Sequence, residues 1–340
     1  MTDAVSNAIE SGSDPEPAAV TFSDIEAAAA RIRTEAVLTP LLSHPALNKR
    51  TGATVLIKPE NLQRSGSFKF RGAFNRLNLV PHANRANGVV ACSSGNHAQG
   101  VAAGAQILSM PATIVMPADA PAIKLERTRE FGATVVTYDR DTEDRDAIAR
   151  ALCEETGATF VHPFNDPGVI AGQGTVGLEM AHQAEALGYQ LDDVLACTGG
   201  GGLSSGIALA LAEKVPTARF HTVEPENFDE YRRSLEAGER LSNTQKSGSI
   251  CDALLSETPG DIGFSILRQL AGEGVTVTDD EALEAVAFAF RELKLVVEPG
   301  GAVALAALLS GKLPVKGKTV GVVLTGGNID PRMLMRALEA

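Results

Sequence analysis

The sequence predicts an α/β protein of two lobes, each a parallel sheet with helices on both faces. Two observations carry this. Apolar runs of four to six residues, bounded by Gly and Pro, alternate along the chain with longer helical patterns. Such runs are the mark of parallel strands buried on both faces. There are also more of these units than one comfortable sheet holds, which predicts a second sheet with the ligand between the two.

In chain order, residues 1–20 are acidic, rich in Ala and Ser, and interrupted by Pro15 and Pro17, the composition of a flexible tail. Ser23 and Asp24 supply a cap for a helix running to about Arg33, and Thr39-Pro40 closes that segment. Strands are expected at 54–58, 89–92, 113–116, 134–137, 159–161, 194–197, 219–223 and 319–324. Helices are expected at 98–108, 147–155, 173–187 and 303–309, with further ones after the strands near 116 and 197. No internal repeat or heptad pattern stands out.

The bulk numbers exclude several classes. The 340 residues carry a formal charge of −12 and no basic run, so nucleic acid and anionic membranes are poor partners. No apolar run reaches membrane-spanning length, and no signal-peptide pattern follows Met1. The four cysteines, Cys92, Cys153, Cys197 and Cys251, are scattered without metal-ligand spacing, as expected of reduced thiols in a cytoplasmic protein.

Four stretches carry unusual chemistry. In Ser65-Gly66-Ser67-Phe68-Lys69-Phe70-Arg71-Gly72 a lysine lies between two phenylalanines. An ammonium held against apolar surface loses hydration, its pKa falls, and the neutral amine becomes a nucleophile toward aldehydes. The plain alternative is a lysine stem passing two core rings to reach water. Ser93-Ser94-Gly95-Asn96-His97 follows a strand and opens a helix, where hydroxyls, an amide, an imidazole and free N–H groups make a carboxylate cradle. Gly199, Gly200, Gly201 and Gly202, with Leu203, lie between a strand and a helix and offer bare backbone to a phosphate. A dinucleotide site is the rival, with Glu224 placed for a ribose, but the third glycine of that fingerprint is Ser204 or Ser205 here. The fourth stretch, Thr325-Gly326-Gly327-Asn328, puts a hydroxyl at a strand end.

A lysine nucleophile, a phosphate loop, a carboxylate cradle and a terminal hydroxyl together suggest pyridoxal phosphate. With Ile170-Ala171-Gly172-Gln173-Gly174-Thr175 added to these stretches, the chain from about residue 23 onward resembles the serine/threonine dehydratase family. These are the fold type II pyridoxal-phosphate enzymes, tryptophan synthase β-like, which include serine racemase. The resemblance implies a large cofactor-binding domain, residues 21–87 and 166–340, and a small substrate-clamping domain, residues 88–165. It implies that Lys69 holds the cofactor and later takes the Cα proton, with Phe68 near the ring. Asn96 would bond the phenolic oxygen, the backbone from Gly199 to Leu203 the phosphate, and Thr325 the pyridine nitrogen. Ser94 matches the acid/base of serine racemase on the opposite ring face. Ser93 and His97 would hold the substrate carboxylate, and Arg145 falls where racemases have an arginine near the substrate. Glu224, the carbonyl of Phe228 and Glu230 match a site for Mg2+ or another divalent cation, and a homodimer is implied.

The pattern also departs from the family. Glu230 stands for an aspartate, Thr325 for a serine, Phe164 for an asparagine, and Ala253 for a glycine. The regulatory domain of biosynthetic threonine deaminases is not expected, because the chain stops soon after Asn328. The expected activity is dehydration and deamination of L-threonine or L-serine to a 2-oxo acid and ammonia. 3-Hydroxyaspartate dehydratase and serine racemase remain alternatives on the same scaffold, and a nicotinamide-dependent oxidoreductase is a distant one.

Overall fold

The computed structural model describes residues 19–120, 122–139 and 141–339, so most of the expected tail lies outside the described residues. Its last residue, Val20, is packed rather than free, against Ala28, Ile170 and Ile262. Helix α1, Phe22–Ile32, is capped by Thr21 in a box with Asp24, so the cap falls two residues before the expected Ser23. The hydroxyl of Thr21 answers the Asp24 N–H while the Asp24 carboxylate reaches back to the Thr21 N–H.

The chain continues through α2 (Pro45–Thr51), β1 (Thr54–Pro59), α3 (Lys69–Asn78), β2 (Val89–Cys92), α4 (Asn96–Ile107), β3 (Ala112–Pro117), α5 (Ala122–Glu130), β4 (Thr134–Tyr138), α6 (Arg145–Thr156) and β5 (Thr159–Phe160). After α7 (Pro167–Ala186) follow β6 (Asp193–Cys197), α8 (Gly202–Lys214), β7 (Arg219–Pro225), α9 (Glu230–Ala237), α10 (Asp261–Leu270) and β8 (Val275–Val277). The last elements are α11 (Asp279–Phe288), α12 (Pro299–Leu309), β9 (Thr319–Leu324) and α13 (Pro331–Glu339).

Two sheets form. One has the order β1-β9-β6-β7-β8, the other β4-β3-β2-β5, and every pair of named strands is parallel. The strands bury both faces, as their unbroken apolar runs require. On one face of the larger sheet, Leu47, Ala282, Val303 and Ala337 bring in α2, α11, α12 and α13. On the other, Val176, Ile207 and Leu267 bring in α7, α8 and α10. The smaller sheet has Leu77 and Val101 of α3 and α4 on one face and Ile148 and Ala149 of α6 on the other.

Helix α3 carries the candidate lysine and is wedged between α4 and α7. The α3–α7 crossing is tight enough to demand glycine on both sides. A Cβ on Gly72 would lie 2.7 Å from the Val169 carbonyl oxygen, and one on Gly172 would lie 2.6 Å from the Gly72 Cα.

Candidate active site

Lys69 is the first residue of α3, with Phe68 in the cap position. Its Nζ donates to the Pro163 carbonyl at 2.8 Å and lies 5.2 Å from the Phe68 ring centroid. Phe70 does not face it. That ring stacks on Phe74 at 5.2 Å in a separate cluster with Ile32, so the expected sandwich of two rings is one ring and one carbonyl. The outcome for the amine is as expected. Burial pulls Lys69 down to about 8, with Cys197 opposing weakly. The positive end of the helix dipole acts in the same direction.

The lysine loop is tied to the end of β9. Ser67 and Gly326 form a bridge, and the Phe68 N–H donates to the Thr325 carbonyl at 3.1 Å. Buried Thr325 places its Oγ1 3.1 Å from the Cys197 Sγ at the end of β6. Burial raises that thiol to about 11, the Thr325 hydroxyl opposing, so Cys197 is a neutral neighbour of the lysine at pH 7.

The glycine loop follows Cys197. Gly201 has φ +89° and caps α8, leaving the first N–H groups of that helix without intrahelical acceptors. Phe164 and Tyr231 press on its other side. A Cβ at Gly200 would lie 2.2 Å from the Phe164 ring, and one at Gly201 would lie 1.8 Å from the Tyr231 Oη. The bare backbone is therefore required by packing on one face, with the helix start free to take an anion.

The Ser93–His97 loop leaves β2 of the smaller sheet. Ser93 and Ser94 are half-exposed, and the Ser93 hydroxyl accepts from the Gly95 N–H at 3.1 Å. His97 is buried, with Nε2 3.0 Å from the Val161 carbonyl. Burial, reinforced by the Lys69 charge, holds it near 3, so it is neutral at pH 7 and offers no cation to a carboxylate. Arg145 opens α6 with its side chain 55% exposed, 3.7 Å from Asp146, so it stands outside the buried cluster.

Asn96 is held at both ends. Its Nδ2 donates to Glu298 Oε1 at 2.5 Å, and its Oδ1 accepts from Asn328 Nδ2 at 2.7 Å. The Asn328 amide also donates to the Ser65 carbonyl at 2.8 Å. Sequence reasoning missed Glu298 and Cys197. Both are single residues whose partners lie far along the chain, and only a polar group in an apolar run marked them.

A lysine, a helix-start anion site and a hydroxyl thus gather at the carboxyl ends of β6 and β9, beside the loop that leaves β2. Residues 32–326 match the family model described as "pyridoxal-phosphate dependent enzyme". The chain belongs to that family. It is 46% identical over 309 residues to the L-threo-3-hydroxyaspartate ammonia-lyase of Pseudomonas sp, covering 91% of this chain and 95% of the relative. The serine racemase of Schizosaccharomyces pombe is 38% identical over 310 residues, covering 91% and 94%. Among solved structures, the threonine deaminase of T.th. superposes with a TM-score of 0.86 at 43% identity, covering 91% of this chain and 99% of that one. The two parallel sheets are those of the fold type II pyridoxal-phosphate enzymes.

The residues present fit this cofactor. Ser65 Oγ, Ser67 Oγ and His97 Nδ1 are buried without a hydrogen-bond partner, next to or on loops touching the lysine. A poorly solvated amine, a helix start for a phosphate and the neutral Thr325 hydroxyl complete a donor set suited to a phosphorylated aromatic aldehyde.

The two carboxyls of the expected cation site lie close enough to raise Glu224 further, and Glu230 Oε1 is buried without a hydrogen-bond partner. Glu224 spends both carboxylate oxygens on the backbone N–H groups of Tyr231 and Arg232, each at 2.8 Å. Glu230 bonds Asn243 at 2.6 Å through Oε2. The described residues contain no cluster of three or more His, Cys, Asp or Glu side chains able to hold a metal. No helix among them is long and apolar enough to cross a membrane.

Proposed function

We propose that this chain dehydrates and deaminates a small β-hydroxy amino acid, L-threonine or L-serine, to a 2-oxo acid and ammonia. The observation that carries the reading is the Lys69 amine, half-buried, lowered by desolvation to about 8, and joined through its own loop to Thr325. Pyridoxal phosphate, when bound, supplies the electron sink that makes a substrate Cα proton removable. The chain's residues do the rest. Lys69 anchors the cofactor and moves the Cα proton at Nζ. Gly199 to Leu203 hold phosphate through N–H groups, with Phe68 and Asn96 placing the ring. Thr325 offers the pyridine nitrogen a neutral hydroxyl, which limits the sink and favours loss of the β-hydroxyl over transamination. Ser94, on the half-exposed loop, returns a proton to Cα from the opposite face in the accompanying racemisation, with Ser93 and the adjoining helix start holding the carboxylate. Residues 88–165 would clamp the substrate, and the working form would be a homodimer, which light scattering of the purified protein tests.

A second reading is favoured by the Pseudomonas relative's name: the substrate carries a second carboxylate, paired by Arg145. The experiment is 2-oxo acid release from threonine, serine and 3-hydroxyaspartate by the wild type, Lys69→Ala and Arg145→Met. Turnover by Lys69→Ala would refute the assignment. An Arg145→Met loss of ~10-fold or more in kcat/KM, confined to hydroxyaspartate, would select the second reading.

A further inference from the structure

Glu298 sits immediately before Pro299 in the N-cap position of α12, where Ser, Thr, Asp or Asn is the usual cap. It makes no such cap. The residue is only 7% exposed, and its carboxyl turns instead onto the last turn of the site. A Cβ on Gly326 would lie 2.1 Å from Glu298 Oε1 and 3.0 Å from Asn96 Nδ2, so glycine there makes room for this pair. The backbone secures the arrangement, because the Glu298 N–H donates to the Gly326 carbonyl at 3.0 Å.

The consequence falls on Asn96. A primary amide has two donor protons on nitrogen and an acceptor oxygen, and its orientation is set by what each end meets. Here Glu298 takes one proton of Nδ2 while Asn328 donates to Oδ1. Reversing the amide would set its oxygen against a carboxylate and its NH2 against an NH2. The second Nδ2 proton is left to point elsewhere in the site.

We propose that Glu298 is a positioning residue: it locks the Asn96 amide so that the remaining Nδ2 proton is presented to the cofactor's phenolic oxygen, and places a titratable charge beside that oxygen. This rests on the pyridoxal-phosphate reading of the site.

The charge is poised to change near neutrality. Burial raises Glu298 to about 7, while the Asn96 amide lowers it, Asp252 raises it and Lys124 of α5 lowers it. The neutral thiol of Cys197 feels the Glu298 charge in turn. A negative charge beside the phenolic oxygen perturbs the cofactor's visible absorption, so the wild-type band should respond to pH between about 6 and 8.

The test uses the holoenzyme and two variants. Glu298→Gln keeps an acceptor oxygen for Asn96 and removes the charge. Glu298→Ala removes both. Visible spectra from pH 5.5 to 8.5 and the cofactor dissociation constant, followed by fluorescence, are measured for each, with circular dichroism confirming the fold. Glu298→Ala should weaken cofactor binding ~10-fold or more. Glu298→Gln should restore affinity to within ~3-fold of wild type yet lose the spectral titration near pH 7. A folded Glu298→Ala with wild-type affinity and spectrum would overturn the inference, as would a Glu298→Gln band titrating as the wild type does. If Glu298→Ala does not fold, the Glu298→Gln spectrum decides alone. A wild-type protein that develops no visible band with added pyridoxal phosphate would overturn the cofactor reading itself, and this inference with it.

Discussion

A lysine amine reacts with an aldehyde only when it has lost its proton, so the position of Lys69 on the pH scale controls how the site loads. An ordinary lysine near 10.5 has almost no neutral form at pH 7. With burial holding Lys69 at about 8, roughly a tenth is neutral there. The folded pKa is lowered, so the neutral fraction rises with pH and levels off above about 8. Apoprotein mixed with pyridoxal phosphate should therefore develop its visible band at a rate that climbs from pH 6.5 and flattens above 8.5. A rate still rising at pH 10 would mean that Lys69 is solvated like a surface residue. The neutral groups around it follow the same logic. His97 near 3 and Cys197 near 11 add no competing charge at pH 7, so the amine is tuned mainly by desolvation.

At the scale of elements, the loops at the strand ends define the site, and the glycine loop shows how little freedom they have. Gly201 needs φ +89°, which costs an L-residue ~1–2 kcal/mol, before any clash is counted. Gly201→Ala also drives a Cβ into Tyr231, so a loss of ~2 kcal/mol or more is expected in thermal or urea melts of the apoprotein. Tyr231→Phe should not rescue it, because the ring carbon bearing the hydroxyl would still lie 2.4 Å away. Wild-type stability for Gly201→Ala would show that the loop can move off Tyr231. The same scale explains what was legible in the sequence. Strands such as Val89–Cys92 and Asp193–Cys197 announce themselves as apolar runs, and Gly199 to Gly202 as an otherwise wasteful loss of backbone entropy. Strand β8 is three residues long, and the face that α9 buries carries Glu230 and Ser234 beside Tyr231, so neither gives an apolar period to read. Glu298 was invisible for another reason: its role depends on Asn96, 202 residues away. Phe70 misled because adjacency in sequence to Lys69 is not adjacency in space on a helix, where neighbours diverge by about 100°.

At the scale of the whole molecule, a buried ion network joins the lysine helix to the larger sheet and to the segment after α1. Arg71, fully buried two residues beyond Lys69, grips Glu60 through Nε at 2.7 Å and Nη2 at 2.8 Å, and Glu179 of α7 through Nη1 at 2.7 Å. Lys58 of β1 bonds Glu179 at 2.7 Å and the Thr39 carbonyl at 2.8 Å, while the Thr39 hydroxyl donates to Glu60 at 2.6 Å. Burial pulls Lys58 below its ordinary value in spite of both carboxylates. It pushes Glu60 upward too, but there the Arg71 charge and its hydrogen bonds win and the carboxyl is held below its ordinary 4.5. A depressed carboxyl contributes stability that is fully present above the unfolded pKa and is lost as pH falls through the folded one. Glu60→Gln keeps the shape and removes the charge, leaving Arg71 with only the partly exposed Glu179 carboxylate. Breaking a buried pair from one side costs ~3–5 kcal/mol. The variant should be less stable by about that much at pH 7, the gap should hold down to about pH 5, and it should close as the wild type titrates at lower pH. Urea melts from pH 3 to 8 measure it. A gap of the same size at pH 3 and pH 7 would mean that Glu60 acts through packing alone. Because Arg71 fixes the first turns of α3, the same variant should also slow covalent capture of the cofactor at Lys69. Unchanged capture in a destabilised protein would separate the stability of the network from the placement of the amine.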